Sequence, residues 1–281
     1  QGFTLEAISG MDIALWDLLG KHCREPVWRL LGGPFRTRLP VYSSGTRGSS
    51  LEERCRNVQL TIDEGFSVVK TSCGRESIQE QMVLVRSVSE AVGDRGQLLV
   101  DAHGGYDLPD AIRFAKFLES LGNVEWFEDA LLPEDLAGYR ELTRSTSIRI
   151  AVGETDCNRY VARERLVDRG CDVLLPDVCR AGGISETLKI ARLADAFGVS
   201  WASHVSTSTA VHLMAGLHLG AATPNCFVSE YPTGFGAGPF GNVLLKEPVA
   251  LKGGHIELSE EPGLGIQIDE EAVAELVVEE G

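Results

Sequence analysis

The chain has 281 residues, 43% of them hydrophobic, which is enough for one large domain with a substantial core. Its formal net charge is −15, with 41 acidic residues against 26 basic ones, and this argues against nucleic acid or an anionic membrane as a partner. There is no apolar run of roughly eighteen residues and no basic segment leading into an apolar one, so the sequence predicts neither a membrane span nor a secretory signal.

The first predicted element is a helix over residues 4–21, followed by Pro26 and by Gly32-Gly33. A helix this close to the start is typical of an element that follows earlier structure. We therefore expect residues 1–37 to be the end of a small domain whose earlier part precedes this sequence.

From residue 39 onward, a unit of strand, loop and helix repeats. The predicted strands, which are short and rich in β-branched residues, are 39–42, 67–70, 98–100, 124–127, 148–152, 172–175, 199–202 and 227–229. The helical segments between them are 51–64, 76–92, 110–121, 159–169, 184–197 and 210–219. The helix after the fourth strand is the least defined, because the strand before residues 128–137 is followed by the longest polar loop. Buried strands alternating with helices predict a parallel α/β sheet, and eight such strands are enough to close a barrel over residues 38–240.

The pattern changes after Tyr231, where the chain becomes rich in Gly and Pro. Short strands are predicted at 248–251 and 255–258, followed by a turn at 262–265. We expect this C-terminal segment, residues 241–281, to pack outside the barrel.

The seven cysteines are scattered and include no Cys-x-x-Cys pair. A disulfide framework or a zinc knuckle needs closer spacing. The sequence therefore predicts reduced thiols in a cytoplasmic protein.

Ionisable side chains occur at the ends of seven consecutive predicted strands. They are Lys70, Asp101, Glu128, Glu154, Asp177, His204 and Glu230, and from Asp101 onward their spacing is 23 to 27 residues. In a βα barrel, strand ends and the loops that follow them form one face. The regular spacing therefore predicts that these side chains share one rim.

Several carboxylates that converge without a cation repel one another, and their pKa values rise. Asp101, Glu128 and Glu154 come from adjacent strands and offer the hard oxygen ligands that magnesium prefers. The sequence therefore predicts that these three bind Mg²⁺.

His204 is the natural general base near neutral pH, and Asp177, one strand earlier, can orient its ring. The other helical and C-terminal histidines are interpreted as structural. They are His22, His212, His218 and His255.

Several motifs together resemble a known family. They are residues 11–21 (MDIALWDLLGK), 30–33 (LLGG), 126–128 (WFE), 152–154 (VGE), 176–183 (PDVCRAGG), 203–204 (SH) and 262–265 (PGLG). The chain resembles, over nearly its whole length, the enolase superfamily and within it the mandelate racemase and acid-sugar dehydratase subgroup. The resemblance implies a (β/α)7β TIM-like barrel with the remnant of an N-terminal α+β capping domain at residues 1–37.

The resemblance also implies roles for the rim. Asp101, Glu128 and Glu154 would bind Mg²⁺, the pair His204–Asp177 would be the base, and Glu230 would contact the substrate carboxylate opposite the metal. The chemistry shared by this superfamily is removal of a proton α to a carboxylate, which gives an enediolate stabilised by metal. This mechanism is already known for the superfamily.

The second strand departs from the pattern of many relatives, which carry Lys-x-Lys there. Lys70 holds the first position and Ser72 the second, and both point into the barrel because side chains alternate along a strand. Lys70 can still hold a substrate carboxylate, whereas Ser72 is no base at neutral pH. A racemase needs a base on each face of the carbanion, so this departure disfavours two-base racemisation.

Two further departures follow metal-binding positions. His103 stands where relatives often have Asn, and some sugar-acid dehydratases carry there a histidine that protonates the departing hydroxide. An equal interpretation is that His103 only hydrogen-bonds within the site, as the Asn would. The fourth strand ends Glu128-Asp129-Ala130 rather than Glu-Glu-Pro, which changes the surroundings of the ligand but keeps it.

The leading hypothesis is dehydration of an aldonic or aldaric acid to a 2-keto-3-deoxy acid. The alternatives are an epimerase, racemase or cycloisomerase of a hydroxy acid or lactone, and a non-catalytic binding barrel that lost activity with Ser72. The expected partner is a small-molecule carboxylate, and the resemblance alone implies a homo-oligomer.

Overall fold

The computed structural model describes residues 2–45, 48–74, 76–206, 208–232, 234–235 and 241–276. Eight parallel strands form a closed barrel: β1 (Arg38–Ser44), β2 (Val68–Ser72), β3 (Gln97–Asp101), β4 (Val124–Glu128), β5 (Arg149–Val152), β6 (Val173–Leu174), β7 (Ser200–Ser203) and β8 (Cys226–Pro232). Each strand pairs with the next, and β1 pairs in parallel with both β2 and β8, which closes the barrel. The predicted (β/α)7β barrel is thereby confirmed.

Seven helices connect these strands on the outside of the barrel. They follow α1 (Phe3–Cys23) and α2 (Val27–Leu30), and are α3 (Leu51–Asp63), α4 (Ile78–Val92), α5 (Leu108–Glu119), α6 (Leu136–Ser145), α7 (Arg159–Val167), α8 (Gly183–Ala196) and α9 (Ala210–Ala221). Local sequence fixes where most of them begin, because a side-chain oxygen accepts from a free backbone N–H in the first turn. These N-cap residues are Ser50, Ser77, Asp107, Asp135, Asn158 and Thr209.

Alternation along the strands sorts apolar side chains into two cores. The smaller core fills the barrel and consists of Tyr42, Leu99, Trp126, Ala151, Val173, Leu175, Ala202 and Val228. The larger core lies between the strands and the surrounding helices, and it includes the strand residues flanking these, such as Leu98, Val100 and Phe127. Because the pleat has a period of two, a residue two positions after an interior residue also faces inward.

The C-terminal segment lies against both the barrel and α1. Its short strands, β9 (Leu251–Lys252) and β10 (His255–Glu257), pair with each other, and β10 pairs antiparallel with the first half of β1. Farther on, the N–H of Val27 donates to Gly263 O at 2.9 Å, and the N–H of Leu264 donates to Asp17 Oδ1 at 2.9 Å. The helix α10 (Glu270–Ala274) follows.

The helix α1 packs on α8 through several polar contacts. The indole N–H of Trp16 donates to Ser185 Oγ at 2.9 Å, and the N–H of Gly182 donates to Ser9 Oγ at 3.0 Å. These contacts place α1 beside the loop that follows β6, close to the carboxyl ends of the strands.

The structure differs from the sequence expectations mainly at α6, β6 and β9. The helix α6, for which no bounds were predicted, begins at Leu136, where Asp135 caps it and accepts from Gly138 N. The strand β6 has only two of the four expected residues, and β9 begins at Leu251 rather than at residue 248.

Within the described residues no helix is long and apolar enough to cross a membrane, and the seven cysteines are free.

Candidate active site

The inward face of the strands carries the ionisable side chains to one rim. Asp101 lies two residues after Leu99, Glu128 two after Trp126, and Glu230 two after Val228, so all three continue the interior face. The strand registers support this placement. Asp101 on β3 pairs with Glu128 on β4, and Ser72 on β2 pairs with Asp101. The predicted convergence on one rim is what the structure shows.

Asp101, Glu128 and Glu154 offer one carboxylate oxygen each, and these atoms lie within 4.8 Å of one another. Asp101 and Glu128 are buried, and Glu154 is partly buried. Burial, together with the neighbouring carboxylates of Asp101 and Asp129, raises the pKa of Glu128 well above its usual value, although Lys70 opposes the shift. Three oxygen donors whose negative charges crowd one another fit a hard divalent cation such as Mg²⁺.

Asp129, the residue after Glu128, has a buried Oδ1 without a hydrogen-bond partner among the described residues. Burial and the charges of Glu154 and Asp101 raise its pKa to about 8. Its backbone lies in the left-handed region with φ 41°, a conformation that Asp tolerates better than most residues. The raised pKa of Asp129 reflects the burial of its carboxyl group and the negative charge of the neighbouring candidate ligands.

Lys70 is buried and contacts three carboxylates. Its Nζ lies 2.6 Å from Glu128 Oε1, 3.4 Å from Asp101 Oδ2 and 3.6 Å from Glu230 Oε1. Burial disfavours its charged form, but the charges of Glu128 and Glu230 outweigh that effect and raise the pKa of Lys70 well above its usual value. The ammonium group is thus the positive charge nearest to the candidate cation site.

His204 and Asp177 form the predicted pair. Asp177 Oδ2 lies 2.8 Å from His204 Nδ1, and Glu154 Oε2 lies 3.0 Å from His204 Nε2. Because Nδ1 faces a carboxylate, it carries a hydrogen, and Nε2 is the nitrogen that faces the site. Burial opposes protonation of His204, but the charge of Glu230 and hydrogen bonds to Asp177 and Glu154 raise its pKa well above the usual value.

Glu230 is held by backbone donors. Its Oε2 accepts from the N–H groups of Val205 at 2.7 Å and Ser206 at 3.0 Å. Although burial opposes ionisation, the charges of Lys70 and His204 and these two hydrogen bonds lower the pKa of Glu230 to about 2. Glu230 therefore stays anionic between the ammonium group and the imidazole ring.

His103 lies at the outer edge of the site, with its side chain 42% exposed. Its Nδ1 lies 3.1 Å from Asp101 Oδ1, which fixes the ring, and its Nε2 lies 3.4 Å from Ser72 Oγ. The backbone of His103 is left-handed, with φ 48°. One nitrogen thus supports a candidate ligand while the other remains at the edge of the site.

A cavity of about 310 Å³ adjoins Ser72 and His103. Its further lining includes Arg54, Glu76 and Gln81. This polar cavity lies next to the rim and offers hydrogen-bonding groups of both charges.

Two residues with contacts to the site were missed by the sequence reasoning. The indole N–H of Trp126 donates to Glu128 Oε2 at 2.9 Å, although Trp126 entered the sequence argument only as part of a motif. His212, interpreted as structural, lies with its Nε2 3.2 Å from Asp177 Oδ1. The one sequence signal for His212 is its place inside an otherwise strongly apolar helix, where a buried imidazole requires a polar partner.

Asp177, Cys179 and His212 also offer donor atoms within 4.8 Å of one another. A set of carboxylate, thiol and imidazole suits zinc rather than magnesium. Hydrogen bonds already account for this arrangement, since Asp177 Oδ1 accepts from the N–H of Cys179 at 2.7 Å and lies against His212.

The barrel and its rim define a class of protein: a (β/α)-barrel with a cluster of oxygen ligands beside a histidine oriented by a carboxylate. Family models agree. A model described as enolase C-terminal domain-like matches residues 53–272, and one described as the mandelate racemase/muconate lactonizing enzyme N-terminal domain matches residues 2–32. The chain belongs to the mandelate racemase and muconate lactonizing enzyme family of the enolase superfamily.

Named relatives are enzymes of the lyase and isomerase classes. The chain is 33% identical to the D-galactarolactone cycloisomerase of Agrobacterium fabrum, over 98% of this chain and 75% of that protein. It is 33% identical to the D-xylonate dehydratase of Haloferax volcanii, over 99% of this chain and 71% of that protein. It is therefore an enolase-superfamily enzyme.

A solved structure extends the comparison to the metal. The racemase from Streptomyces coelicolor A3(2), whose structure contains bound magnesium, matches with a TM-score of 0.88 and 30% identity, over 99% of this chain and 74% of that one. Members of the superfamily use Mg²⁺, and this chain has a group of acidic residues able to hold it.

Proposed function

We propose that the chain removes the proton α to the carboxylate of a sugar acid and then eliminates water, giving a 2-keto-3-deoxy acid. Asp101, Glu128 and Glu154 would hold Mg²⁺. The observation that carries the proposal is the position of His204 Nε2, 3.0 Å from Glu154 Oε2 at the edge of that carboxylate cluster. A substrate carboxylate at the cluster brings its α-carbon next to this nitrogen.

His204 accepts the α-proton. Its Nδ1 lies against Asp177 and carries a hydrogen, so Nε2 is the nitrogen that faces the site. Glu154 would be a ligand when Mg²⁺ is bound, and its carboxylate would then release Nε2. His204 would thereby be able to take the α-proton in the loaded site.

Two positive charges would balance the negative charge of the substrate carboxylate. Bound Mg²⁺ supplies positive charge that favours the enediolate over the parent acid. Lys70 contributes a second positive charge and binds the carboxylate from the side of β2, where Ser72 can hydrogen-bond to the substrate. Glu230, anchored by two backbone N–H groups, would contact the substrate carboxylate.

Elimination completes the reaction. The electron pair released at the α-carbon forms the double bond to the β-carbon, and the carbon–oxygen bond at the β-carbon breaks. His103, through Nε2, protonates the departing hydroxide to give water. The resulting enol gains a proton at the β-carbon and loses the proton of its hydroxyl group, which gives the 2-keto-3-deoxy acid, so the net change is loss of one water.

Dehydration is supported by the relatives and by the cavity. The curated relatives include dehydratases of D-xylonate, L-rhamnonate and D-galactonate. The polar cavity beside Ser72 and His103, about 310 Å³ in volume, can take the hydroxylated part of such an acid.

Cycloisomerisation of a sugar lactone is the second candidate, because the D-galactarolactone cycloisomerase is as similar to the chain as the xylonate dehydratase is. It starts with the same α-proton transfer to His204 and differs in the bond that breaks next. Epimerisation is disfavoured, since Ser72 holds the position where a second base is needed. A non-catalytic barrel is disfavoured by the assembled rim and the enzymatic relatives.

The wider organisation is also a proposal. We propose that residues 1–37 end a capping domain, that residues 38–240 form the catalytic barrel, and that residues 241–281 return to the cap. A homo-oligomer is expected from the family resemblance, and light scattering of the purified protein tests it.

The test is incubation with Mg²⁺ in D₂O and a panel of aldonic acids, aldaric acids and their lactones, followed by NMR. A 2-keto-3-deoxy product supports dehydration. A keto-free product made from a lactone replaces dehydration by cycloisomerisation, and a C2 epimer that carries deuterium replaces it by epimerisation. Absence of product and of exchange across the panel contradicts proton abstraction.

The matched variants are His204→Asn and His22→Asn. His204→Asn is expected to abolish deuterium exchange because it removes the proposed base. His22, exposed on α1, has no contact with the rim, and its replacement leaves exchange unchanged.

A further inference from the structure

His212 lies in the first turn of α9 and is buried. His204, by contrast, directly follows β7. Its Nε2 lies 3.2 Å from Asp177 Oδ1 and 3.1 Å from the backbone carbonyl oxygen of His204. Both neighbours accept hydrogen bonds only, so Nε2 carries a hydrogen and donates to both. One N–H thus contacts both members of the proposed base pair.

The other ring nitrogen is also engaged. His212 Nδ1 lies 2.8 Å from Ser208 Oγ, and Thr209 Oγ1 caps the helix on which the ring stands. The imidazole is therefore fixed at both nitrogens and carried by a regular element. The only other donor to Asp177 Oδ1 among the described residues is the N–H of Cys179, in the loop between β6 and α8.

The charge of the His212 ring also supports its contact with Asp177. Burial lowers the pKa of His212, but hydrogen bonds to Asp177 and Cys179 and the charge of Asp177 raise it to about 9. The ring is then an imidazolium at neutral pH and offsets the negative charge of a carboxylate that is itself buried.

We infer that His212 is a positioning residue that fixes Asp177 relative to His204 and so holds His204 in its Nδ1–H tautomer, with Nε2 toward the substrate. The inference rests on the proposed function of His204 as the base. Outer hydrogen-bond partners of metal-binding histidines set the tautomer and ring orientation, and their loss costs about 10- to 100-fold in activity or affinity. We expect an effect of the same order at His204, which is oriented through Asp177.

Two substitutions at His212 separate the hydrogen bond from the bulk of the ring. His212→Leu removes the donor, whereas His212→Gln retains an N–H near the position of Nε2. We expect His212→Leu to lower kcat about 10- to 100-fold with KM changed less than about threefold, and His212→Gln to recover most of that loss.

His218 provides the matched control. It is also buried on α9, but its Nδ1 accepts from the N–H of Trp28 at 3.0 Å, away from the rim. His218→Leu is expected to lower Tm while leaving kcat within about threefold, since it does not change the hydrogen bonds of Asp177. An equal loss of kcat in His212→Leu and His218→Leu assigns the effect to destabilisation of the helix and overturns the inference.

A readout without substrate keeps this inference separate from the proposed function. Ring ¹⁵N shifts of His204, recorded at a pH above the pKa of the ring so that the imidazole is neutral, distinguish the two tautomers, and a single Nδ1–H form is expected in the parent chain and in His212→Gln. His212→Leu is expected to give a mixture. An unchanged ¹⁵N spectrum in His212→Leu overturns the inference even if the parent enzyme dehydrates sugar acids, whereas failure of the proposed function leaves this spectrum still decisive.

Discussion

The indole N–H of Trp126 donates to Glu128 Oε2 across 2.9 Å, and both side chains project from β4 into the barrel. Trp126 is fully buried and packs edge-on against Tyr42, with ring centroids 5.6 Å apart. The barrel core is therefore connected directly to a candidate metal ligand, because the ring that fills the interior also orients the carboxylate above it.

Trp126→Phe is expected to lower Mg²⁺ affinity about 10- to 100-fold, since an oriented ligand loses its supporting donor. Isothermal titration measures the affinity. The control is Trp201→Phe, which removes an equally buried indole whose N–H donates to Thr223 Oγ1 at 3.0 Å, outside the site. Equal Mg²⁺ affinities in the two variants would mean that the hydrogen bond to Glu128 does not support metal binding.

Lys70→Met tests the competition between the ammonium group and a divalent cation for the same oxygens. Lys70 Nζ lies 2.6 Å from Glu128 Oε1. Without it, the buried carboxylates lose their counter-charge, so the metal-free chain is expected to lose about 3 to 5 kcal/mol of stability.

Added Mg²⁺ is expected to restore more stability to Lys70→Met than to the parent chain, because ligand binding to the folded state raises stability by about 2.7 kcal/mol at a hundredfold excess over Kd and the variant binds more tightly. Thermal unfolding with and without Mg²⁺ measures both effects. A smaller Mg²⁺-dependent rise in Tm for the variant contradicts this competition.

Much of the barrel and its rim is predictable from the sequence. The alternation of side chains along each strand shows which residues face the interior, and the repeat of strands and helices predicts the closed barrel. Asp101, Glu128 and His204 follow buried strands at regular intervals, and a closed barrel leaves them no other place than the rim. The turn at residues 262–265 is likewise predicted by a local motif, whereas its contact with α1 is not.

Other contacts depend on the three-dimensional packing. His212 comes to Asp177 only because α9 packs beside the loop after β6, which no periodicity reveals. Lys70 could be placed in the barrel, but which of the three carboxylates it contacts most closely depends on distances of 2.6, 3.4 and 3.6 Å, which the sequence does not reveal. The helix α6 was missed as a segment because its start depends on the Asp135 cap rather than on a strong apolar pattern.

His218 predicts a pH dependence of stability. Burial lowers its pKa from 6.5 to about 4, so the unfolded chain binds a proton between these values that the folded chain does not. Stability from this group is fully present above pH 6.5 and is lost as the pH falls toward 4. The maximum loss is about 3 kcal/mol.

His218→Asn keeps an acceptor near the position of Nδ1, which receives the N–H of Trp28, but cannot take up a proton. The free energy of unfolding, measured by urea denaturation at pH 6.5 and 4.5, is expected to fall less in the variant than in the parent. Equal decreases would show that His218 is not the group that titrates.

His103→Asn separates the two interpretations of His103. An Asn amide can replace Nδ1, which lies 3.1 Å from Asp101 Oδ1, but it removes Nε2, the nitrogen beside Ser72. If Nε2 protonates the departing hydroxide, formation of the 2-keto-3-deoxy acid is expected to fall about 10²- to 10⁴-fold, the usual contribution of a general acid.

Exchange of the α-proton in D₂O is expected to continue in His103→Asn, because His204 and the metal ligands are unchanged. The ratio of exchange to product formation therefore rises in the variant and is measured by NMR in one sample. A variant that keeps both rates would limit His103 to supporting Asp101, and one that loses both would place it in proton abstraction itself. His103→Ala, which also loses the contact with Asp101, is the comparison, since Mg²⁺ affinity should fall there and not in His103→Asn.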